Sequence, residues 1–157
     1  MKWSHVFLLI LLFSLVIGIS GIFFPADSTP EERGAKMTPL LIALVVLWLV
    51  TREYENKHWY NQGVKFTESK EYEKALNAYD QALINNDKNP DIWNNKCFVL
   101  IKLGRCNEAI TAGNIAVQLK PNDPELWDTL RDAYIACNNQ EKADECQKNV
   151  LRLKKKL

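Results

Sequence analysis

The chain has 157 residues, which leaves room for one compact domain and a short appendage and excludes a large multidomain enzyme. Lys and Arg total 20 against 19 Asp and Glu, a formal net charge of +1, so the chain lacks the basic character that nonspecific nucleic-acid binding needs. Only six of these charged residues lie in residues 1–51. The chain therefore divides into an apolar first third and a charged remainder.

The first apolar segment covers residues 6–24, nineteen residues without a charged side chain. As a helix it would extend about 28 Å, close to the thickness of the hydrocarbon layer of a membrane. A secretory signal peptide is the alternative, with Gly18, Ser20 and Gly21 as small residues near a cleavage site. Because the segment is longer than a signal core of about 7–15 residues, the sequence favours a membrane span.

A second apolar segment, residues 36–51, follows a polar loop at 25–36. Residues 41–50 are apolar on every face, whereas a surface helix of a soluble domain shows a polar stripe. A buried core helix is the alternative, because the segment is at the short limit for a span. The sequence thus predicts a membrane anchor over residues 1–51, a helical hairpin with spans at about 6–24 and 36–51 in contact with the lipid bilayer.

The orientation of this predicted hairpin follows from Lys and Arg near the ends of the spans. The connecting loop contains Arg33 and Lys36 together with three acids, whereas the opposite side contains Lys2, Arg52 and Lys57. This bias favours both termini in the cytoplasm. The prediction is an integral, multi-pass membrane protein whose charged part is cytoplasmic.

Three series of residues recur at an interval of 34 in the charged part of the chain. They are Trp59, Trp93 and Trp127, then Ala75, Ala109 and Ala143, then Ala82, Ala116 and Val150. The agreement of three series in one register indicates an internal repeat. The sequence predicts a repeat domain over residues 56–157, with units 56–89, 90–123 and 124–157.

Each unit is predicted to contain two helices, with the tryptophans supplying large buried areas between them. In the first unit the helices are expected at about 56–69 and 72–85. The break in the second unit is expected at Gly104, since glycine readily ends a helix. The third unit is expected to break at residues 138–139, and Pro124 is compatible with the first turn of the helix that follows it.

This pattern resembles the tetratricopeptide repeat, whose first helix carries a tryptophan, a small residue and a tyrosine, and whose second carries an alanine, an aromatic residue and another alanine. The matching residues are Trp59, Gly63, Phe66, Ala75, Tyr79 and Ala82, then Trp93, Ala109, Ala116 and Pro121, then Trp127, Leu130, Tyr134 and Ala143. Cys97 and Arg131 depart from it at the small position, and Gly113 and Gln147 at the aromatic position. The predicted fold is all-α, a transmembrane helical hairpin followed by a three-repeat α-solenoid.

The resemblance implies that the first helix of each unit lines a groove that binds other proteins. The groove positions correspond to Lys57, Tyr60, Val64, Thr67 and Glu68, then Asp91, Asn94, Phe98, Ile101 and Lys102, then Glu125, Asp128, Asp132, Ile135 and Ala136. The nine predicted to bind the partner are Tyr60, Val64, Asn94, Phe98, Ile101, Lys102, Glu125, Asp128 and Asp132.

The composition of these positions predicts the kind of partner. An apolar patch and three acids at one end indicate a peptide with an apolar anchor and a basic end, although acids can also simply solvate an exposed helix. Repeats that clamp the C-terminal carboxylate of chaperones use Lys, Asn and Arg where this chain has Tyr60, Val64, Asn95, Glu125 and Thr129. Only Asn95 fits that pattern, so binding of chaperone tails is not expected.

The four cysteines, Cys97, Cys106, Cys137 and Cys146, do not form a Cys-x-x-Cys site. Buried free thiols are the predicted state, and disulfides the alternative if the domain faces an oxidising space. The two histidines, at 5 and 58, lie in no metal-ligand or nucleophile pattern, so no enzyme activity, cofactor or metal is predicted.

The predicted function is that of a membrane-anchored adaptor for a membrane-associated protein partner. Two alternatives remain open. In the first, the chain is an assembly factor that forms homo-oligomers through its hairpin and its last helix. In the second, the repeat domain faces the extracytoplasmic side.

Overall fold

A computed structural model of the protein describes residues 29–84 and 86–155. Six helices follow one another in this part of the chain: α1 (Pro30–Glu68), α2 (Tyr72–Leu83), α3 (Pro90–Lys102), α4 (Cys106–Leu119), α5 (Pro124–Ala136) and α6 (Gln140–Lys154). The chain divides into two compact units, residues 1–51 and 52–157. The all-α class and the three helix pairs of the repeat domain are confirmed.

Helix α1 differs from the prediction in its length. It has 39 residues and runs without interruption through positions 52–55, which separate the predicted anchor from the predicted repeat domain. It begins inside the predicted loop, so that Pro39 lies within the helix and not in its first turn. The physical reason is that neither Gly nor Pro occurs between Pro39 and Gly63, so nothing in the local sequence ends the helix there.

The predicted membrane hairpin is not supported. Residues 6–24 lie outside the described residues. Of the helices between residues 29 and 155, none combines the length and the apolarity that crossing a membrane requires. The second predicted span is therefore not supported. Most side chains from position 41 to position 50 are nevertheless exposed and apolar.

The turns inside the three units have the same backbone conformation. Each contains one residue with a positive φ, namely Lys70 (62°), Gly104 (72°) and Asn138 (55°), at intervals of 34. The next residue donates its N–H to a carbonyl five residues earlier, from Glu71 to Phe66 (2.8 Å), from Arg105 to Leu100 (2.9 Å) and from Asn139 to Tyr134 (2.9 Å). This is the Schellman motif, which satisfies the last carbonyls of a helix, and all three predicted breaks are confirmed.

Replacing Lys70 by glycine should stabilise the protein. The left-handed conformation costs a non-glycine residue roughly 1 kcal/mol, so Lys70→Gly should raise the free energy of unfolding by about 0.5–1 kcal/mol in urea denaturation. The matched control is Gly104→Ala, which places a Cβ at φ 72° and should lower it by a similar amount. A Lys70→Gly variant that is less stable than the wild type would contradict this account.

Two of the first helices begin with the same cap. Asn89 Oδ1 accepts the N–H of Asp91 at 2.9 Å, and Asp123 Oδ1 accepts the N–H of Glu125 at 3.0 Å. Each cap is followed by a proline at the first helical position, where proline costs no hydrogen bond. Helices α3 and α5 therefore start in equivalent places, which puts their side chains in the same register.

The core confirms the predicted small residues and corrects the role of the tryptophans. Ala75, Ala109 and Ala143 are fully buried between the helices of their units. Trp93 and Trp127 are only half-buried, and their indole N–H groups donate to backbone carbonyls six residues earlier, at 2.7 and 2.9 Å. These two tryptophans are thus hydrogen-bonded to the loop before their helix, and they also pack against the core.

The exposed surface of helix α6 is mostly polar. The buried face of α6 consists of Ala143, Cys146, Val150 and Leu153. Its exposed side chains are polar or charged except for Leu151. The predicted homo-oligomer formed through α6 therefore finds no apolar surface to support it.

Candidate functional site

Helices α1, α3 and α5 carry the residues predicted to bind a partner. Asn95 Nδ2 donates to Tyr60 Oη at 3.3 Å and joins α1 to α3, while α3 packs directly against α5. We use the name groove face for the surface of the nine predicted residues, Tyr60, Val64, Asn94, Phe98, Ile101, Lys102, Glu125, Asp128 and Asp132. All nine are exposed or half-buried.

Four of these nine residues are apolar or aromatic, and we call them the apolar patch: Tyr60, Val64, Phe98 and Ile101. Tyr60 and Ile101 pack with one side against the larger core cluster. Phe98 is 40% exposed, and Lys102 places its Nζ 5.0 Å from the centre of the phenyl ring. Two side chains of the patch are thus anchored in the core, and the ring of Phe98 is accessible, with a lysine ammonium close to it.

The acidic end of the groove face is less charged than predicted. Arg131 forms ion pairs with Asp128 and with Asp132, the latter through Nη2 and Oδ1 at 2.8 Å. Glu125 is exposed and has no ion pair within the described part of the chain. The sequence analysis treated Arg131 only as a departure from the repeat pattern. Its spacing of three residues from Asp128 was the signal for this ion pair.

The departures from the repeat pattern compensate each other in pairs. In each unit the small position of the first helix faces the aromatic position of the second, sixteen residues later in the sequence. A Cβ added to Gly63 would lie 2.5 Å from Tyr79 Cε1, and one added to Gly113 would lie 3.2 Å from Cys97 Sγ. The last unit has no small residue in this pair.

In that last unit, Arg131 Nη1 donates to Gln147 Oε1 at 2.6 Å. A hydrogen bond between two long polar side chains thus replaces the glycine–tyrosine contact of the first unit. This contact also holds the guanidinium of Arg131 in the position from which it reaches the two aspartates of the groove face. The packing of the last unit and the charge of the groove therefore depend on the same side chain.

The cysteines fall into two groups. Cys97 and Cys146 are buried free thiols, as predicted. Burial raises the pKa of Cys97 to about 12, and burial also raises the pKa of Cys146. Cys106 and Cys137 form a disulfide with a Cα–Cα distance of 5.4 Å, so the prediction of a free thiol is wrong for these two. The distances that decide this exist only after the repeats have packed.

Sequence comparison assigns the fold to a family. The family described as tetratricopeptide repeat matches residues 66–131. This match covers part of the repeat region of the chain. The chain is similar to human tetratricopeptide repeat protein 33, with 30% identity over 81 residues that make up 52% of this chain and 31% of the relative.

The mouse protein of the same name is 29% identical over 75 residues, which cover 48% of this chain and 29% of the relative. The chain thus spans about a third of the length of the curated relatives it matches. The tetratricopeptide repeat assignment confirms the resemblance seen in the sequence.

Solved structures share the fold. The first TPR domain of Spaghetti (RPAP3) bound to the HSP90 peptide SRMEEVD superposes with a TM-score of 0.61 at 21% identity, covering 64% of this chain and 79% of that chain. The TPR2B domain of yeast Sti1 in a complex with pHsp70 has a TM-score of 0.64 at 19% identity, covering 66% of this chain and 83% of that chain. At these identities the likeness concerns the fold alone.

Proposed function

We propose that this tetratricopeptide repeat domain is a noncatalytic adaptor that binds a segment of a protein partner on its groove face. The observation that carries the proposal is the apolar patch around Phe98, which is 40% exposed above a base of half-buried side chains. Large aromatic side chains in such positions supply much of the binding energy at protein interfaces. The bound segment should therefore present an apolar anchor to this patch.

The groove face also supports a preference for a basic residue beside the anchor. Glu125 is exposed on α5, and Asp128 and Asp132 share a single arginine. The acidic end therefore keeps a negative charge, although less than three separate acids would give. Opposite charges across an interface improve specificity and the rate of association.

The same residues argue against a partner with an acidic C-terminal tail. Glu125 would repel a carboxylate, and Asn95 already donates its amide to Tyr60. The HSP90 peptide SRMEEVD, which the RPAP3 domain binds, is therefore a useful negative probe. We expect this chain not to bind it measurably.

The proposal can be tested by selecting peptides from a random library displayed on phage with the full chain as bait. Enriched peptides should contain a large apolar residue near Lys or Arg. In fluorescence anisotropy titrations of a selected peptide, Phe98→Ala should weaken binding by about tenfold or more. Glu125→Lys should also weaken binding, and its effect should be larger at low salt than at high salt, because exposed charges are screened by ions.

The matched control is Leu151→Ala, which removes an exposed apolar side chain (61%) from α6, outside the groove face. This variant should bind the selected peptide as the wild type does. Selected peptides whose affinity is unchanged by Phe98→Ala would show that the groove face is not the binding site.

A further inference from the structure

The disulfide of this chain joins two different repeats. Cys106 is the first residue of α4, the second helix of the second unit, and Cys137 caps the C-terminus of α5, the first helix of the third unit. Each cysteine lies next to a left-handed turn residue. Gly104 lies two residues before Cys106, and Asn138 directly follows Cys137. The cystine therefore connects the same end of two neighbouring repeats across their interface.

The position of this bond matters because a repeat contacts only its neighbours. Within the described residues, the third unit is held through its interface with the second unit. That interface already contains apolar contacts, since Ala116 and Val117 of α4 pack in one cluster with Leu126 and Leu130 of α5. The cystine adds a covalent link to this packed interface.

The four cysteines differ in their access to redox reagents. Cys106 and Cys137 are half-buried at helix ends. Cys97 is fully buried and Cys146 is 3% exposed, and burial raises the pKa of both thiols. Because the thiolate is the reactive form, these two are poor substrates for disulfide exchange. Exchange is therefore confined to the pair that already lies at bonding distance.

We propose that Cys106 and Cys137 form a reversible redox site that staples the second repeat to the third when it is oxidised by a small-molecule disulfide. One cysteine thiolate attacks the small disulfide, which forms a mixed disulfide and releases one small thiol. The second cysteine then attacks the mixed disulfide, which closes the cystine and releases the second small thiol. Two protein thiols are oxidised while one disulfide is reduced to two thiols, and the reverse sequence opens the staple.

The test uses the full chain, equilibrated without oxygen in a series of mixtures of reduced and oxidised glutathione. Acid quenching, unfolding and alkylation are followed by intact mass measurement and peptide mapping. We expect two thiols to be lost together in a single transition, with the crosslink mapped to Cys106 and Cys137. Cys97 and Cys146 should remain alkylatable throughout.

Thermal denaturation measures the effect of the staple. The loop between the two cysteines contains about thirty residues, so the oxidised chain should melt about 10 °C higher than the reduced chain. Cys106→Ser should abolish this difference and the crosslink, and Cys137→Ser serves as a second variant should the first not fold. Cys97→Ser, which changes a thiol outside the site, should keep the crosslink and its transition.

Two results would overturn the proposal. The first is that Cys106 and Cys137 stay reduced across the whole glutathione series, or that they crosslink to Cys97 or Cys146. The second is that the oxidised and reduced chains melt at the same temperature.

Discussion

Replacing Tyr79 by alanine is expected to lower the free energy of unfolding by about 3–5 kcal/mol, the largest effect of any single substitution considered for this protein. Tyr79 is 1% exposed and belongs to the core cluster that includes Ala75, Ile92 and Leu100. Its ring fills the space above Gly63, where a Cβ would lie 2.5 Å from Tyr79 Cε1. Truncation removes the buried ring and leaves a cavity that neighbouring helices cannot fill without moving.

The matched control keeps the ring. Tyr79→Phe loses only the hydrogen bond between the phenol and Thr67 Oγ1, at 3.2 Å, and should cost about 1 kcal/mol. Urea denaturation followed by tryptophan fluorescence measures both variants. Equal losses for the alanine and phenylalanine variants would show that the hydroxyl, and not the packing of the ring, is the important group.

A second substitution tests whether Gly63 and Tyr79 act as a pair. In the wild type, Gly63→Ala would place a Cβ 2.5 Å from Tyr79 Cε1, and such overpacking costs about 1–3 kcal/mol. In the Tyr79→Ala background that contact is gone, and the better helix propensity of alanine should stabilise the protein by about 1 kcal/mol. The effect of Gly63→Ala should thus change sign. An effect of the same sign in both backgrounds would mean that the two residues are not coupled.

The alkaline limb of stability gives an independent check on Tyr79. Burial raises the pKa of its phenol, so the unfolded chain loses this proton at a lower pH than the folded chain. The unfolded state therefore binds fewer protons in this range, and stability decreases as the pH rises above about 10. Tyr79→Phe should reduce that decrease, and an unchanged alkaline slope would contradict the assignment.

Replacing Arg131 by alanine is expected to lower the free energy of unfolding by about 2 kcal/mol, because a hydrogen-bonded charge is removed from a partly buried site. The side chain is 27% exposed and contacts Asp128, Asp132 and Gln147. Its removal leaves two negative charges about one helical turn apart on α5 without a cation between them. The same denaturation experiment measures the loss.

The matched control for Arg131 is Arg105→Ala. Arg105 pairs with Glu108 at 2.7 Å on an exposed surface, and exposed ion pairs contribute little, so this variant should be as stable as the wild type. Adding Asp128→Asn and Asp132→Asn to Arg131→Ala should recover part of the lost stability, because the repulsion is removed. No recovery would mean that the arginine acts through Gln147 alone.

Arg131 also links stability to the proposed binding function. If the arginine limits the charge of the acidic end, Arg131→Ala should bind a selected basic peptide more tightly although the protein is less stable. Binding measured by anisotropy at low salt would show this opposite change. A parallel loss of affinity and stability would indicate that the variant damages the groove face instead.

Several features of this protein follow from the sequence because they are local. The 34-residue interval of Trp59, Trp93 and Trp127 predicts the unit length. The three turns fall where the repeat register places them, with left-handed residues at 70, 104 and 138. A turn depends on about five consecutive residues, so its position can be predicted without knowing how distant helices pack.

That the predicted groove residues are accessible follows from local sequence for the same reason. Helical register alone brings Tyr60, Phe98 and Asp132 to the exposed or half-buried side of their helices. The net charge of that surface was predicted less well. Asp128 and Asp132 were counted as separate acids, whereas Arg131, held by Gln147 of the next helix, neutralises part of their charge.

What the sequence determined by itself is therefore the repeat and its helix pairs. The tertiary structure decided which residues meet across helices: Gly63 with Tyr79, and Cys106 with Cys137. The physical reason is that periodicity and turn chemistry act over a few neighbouring residues, whereas these contacts depend on distances that only the packing of several helices defines.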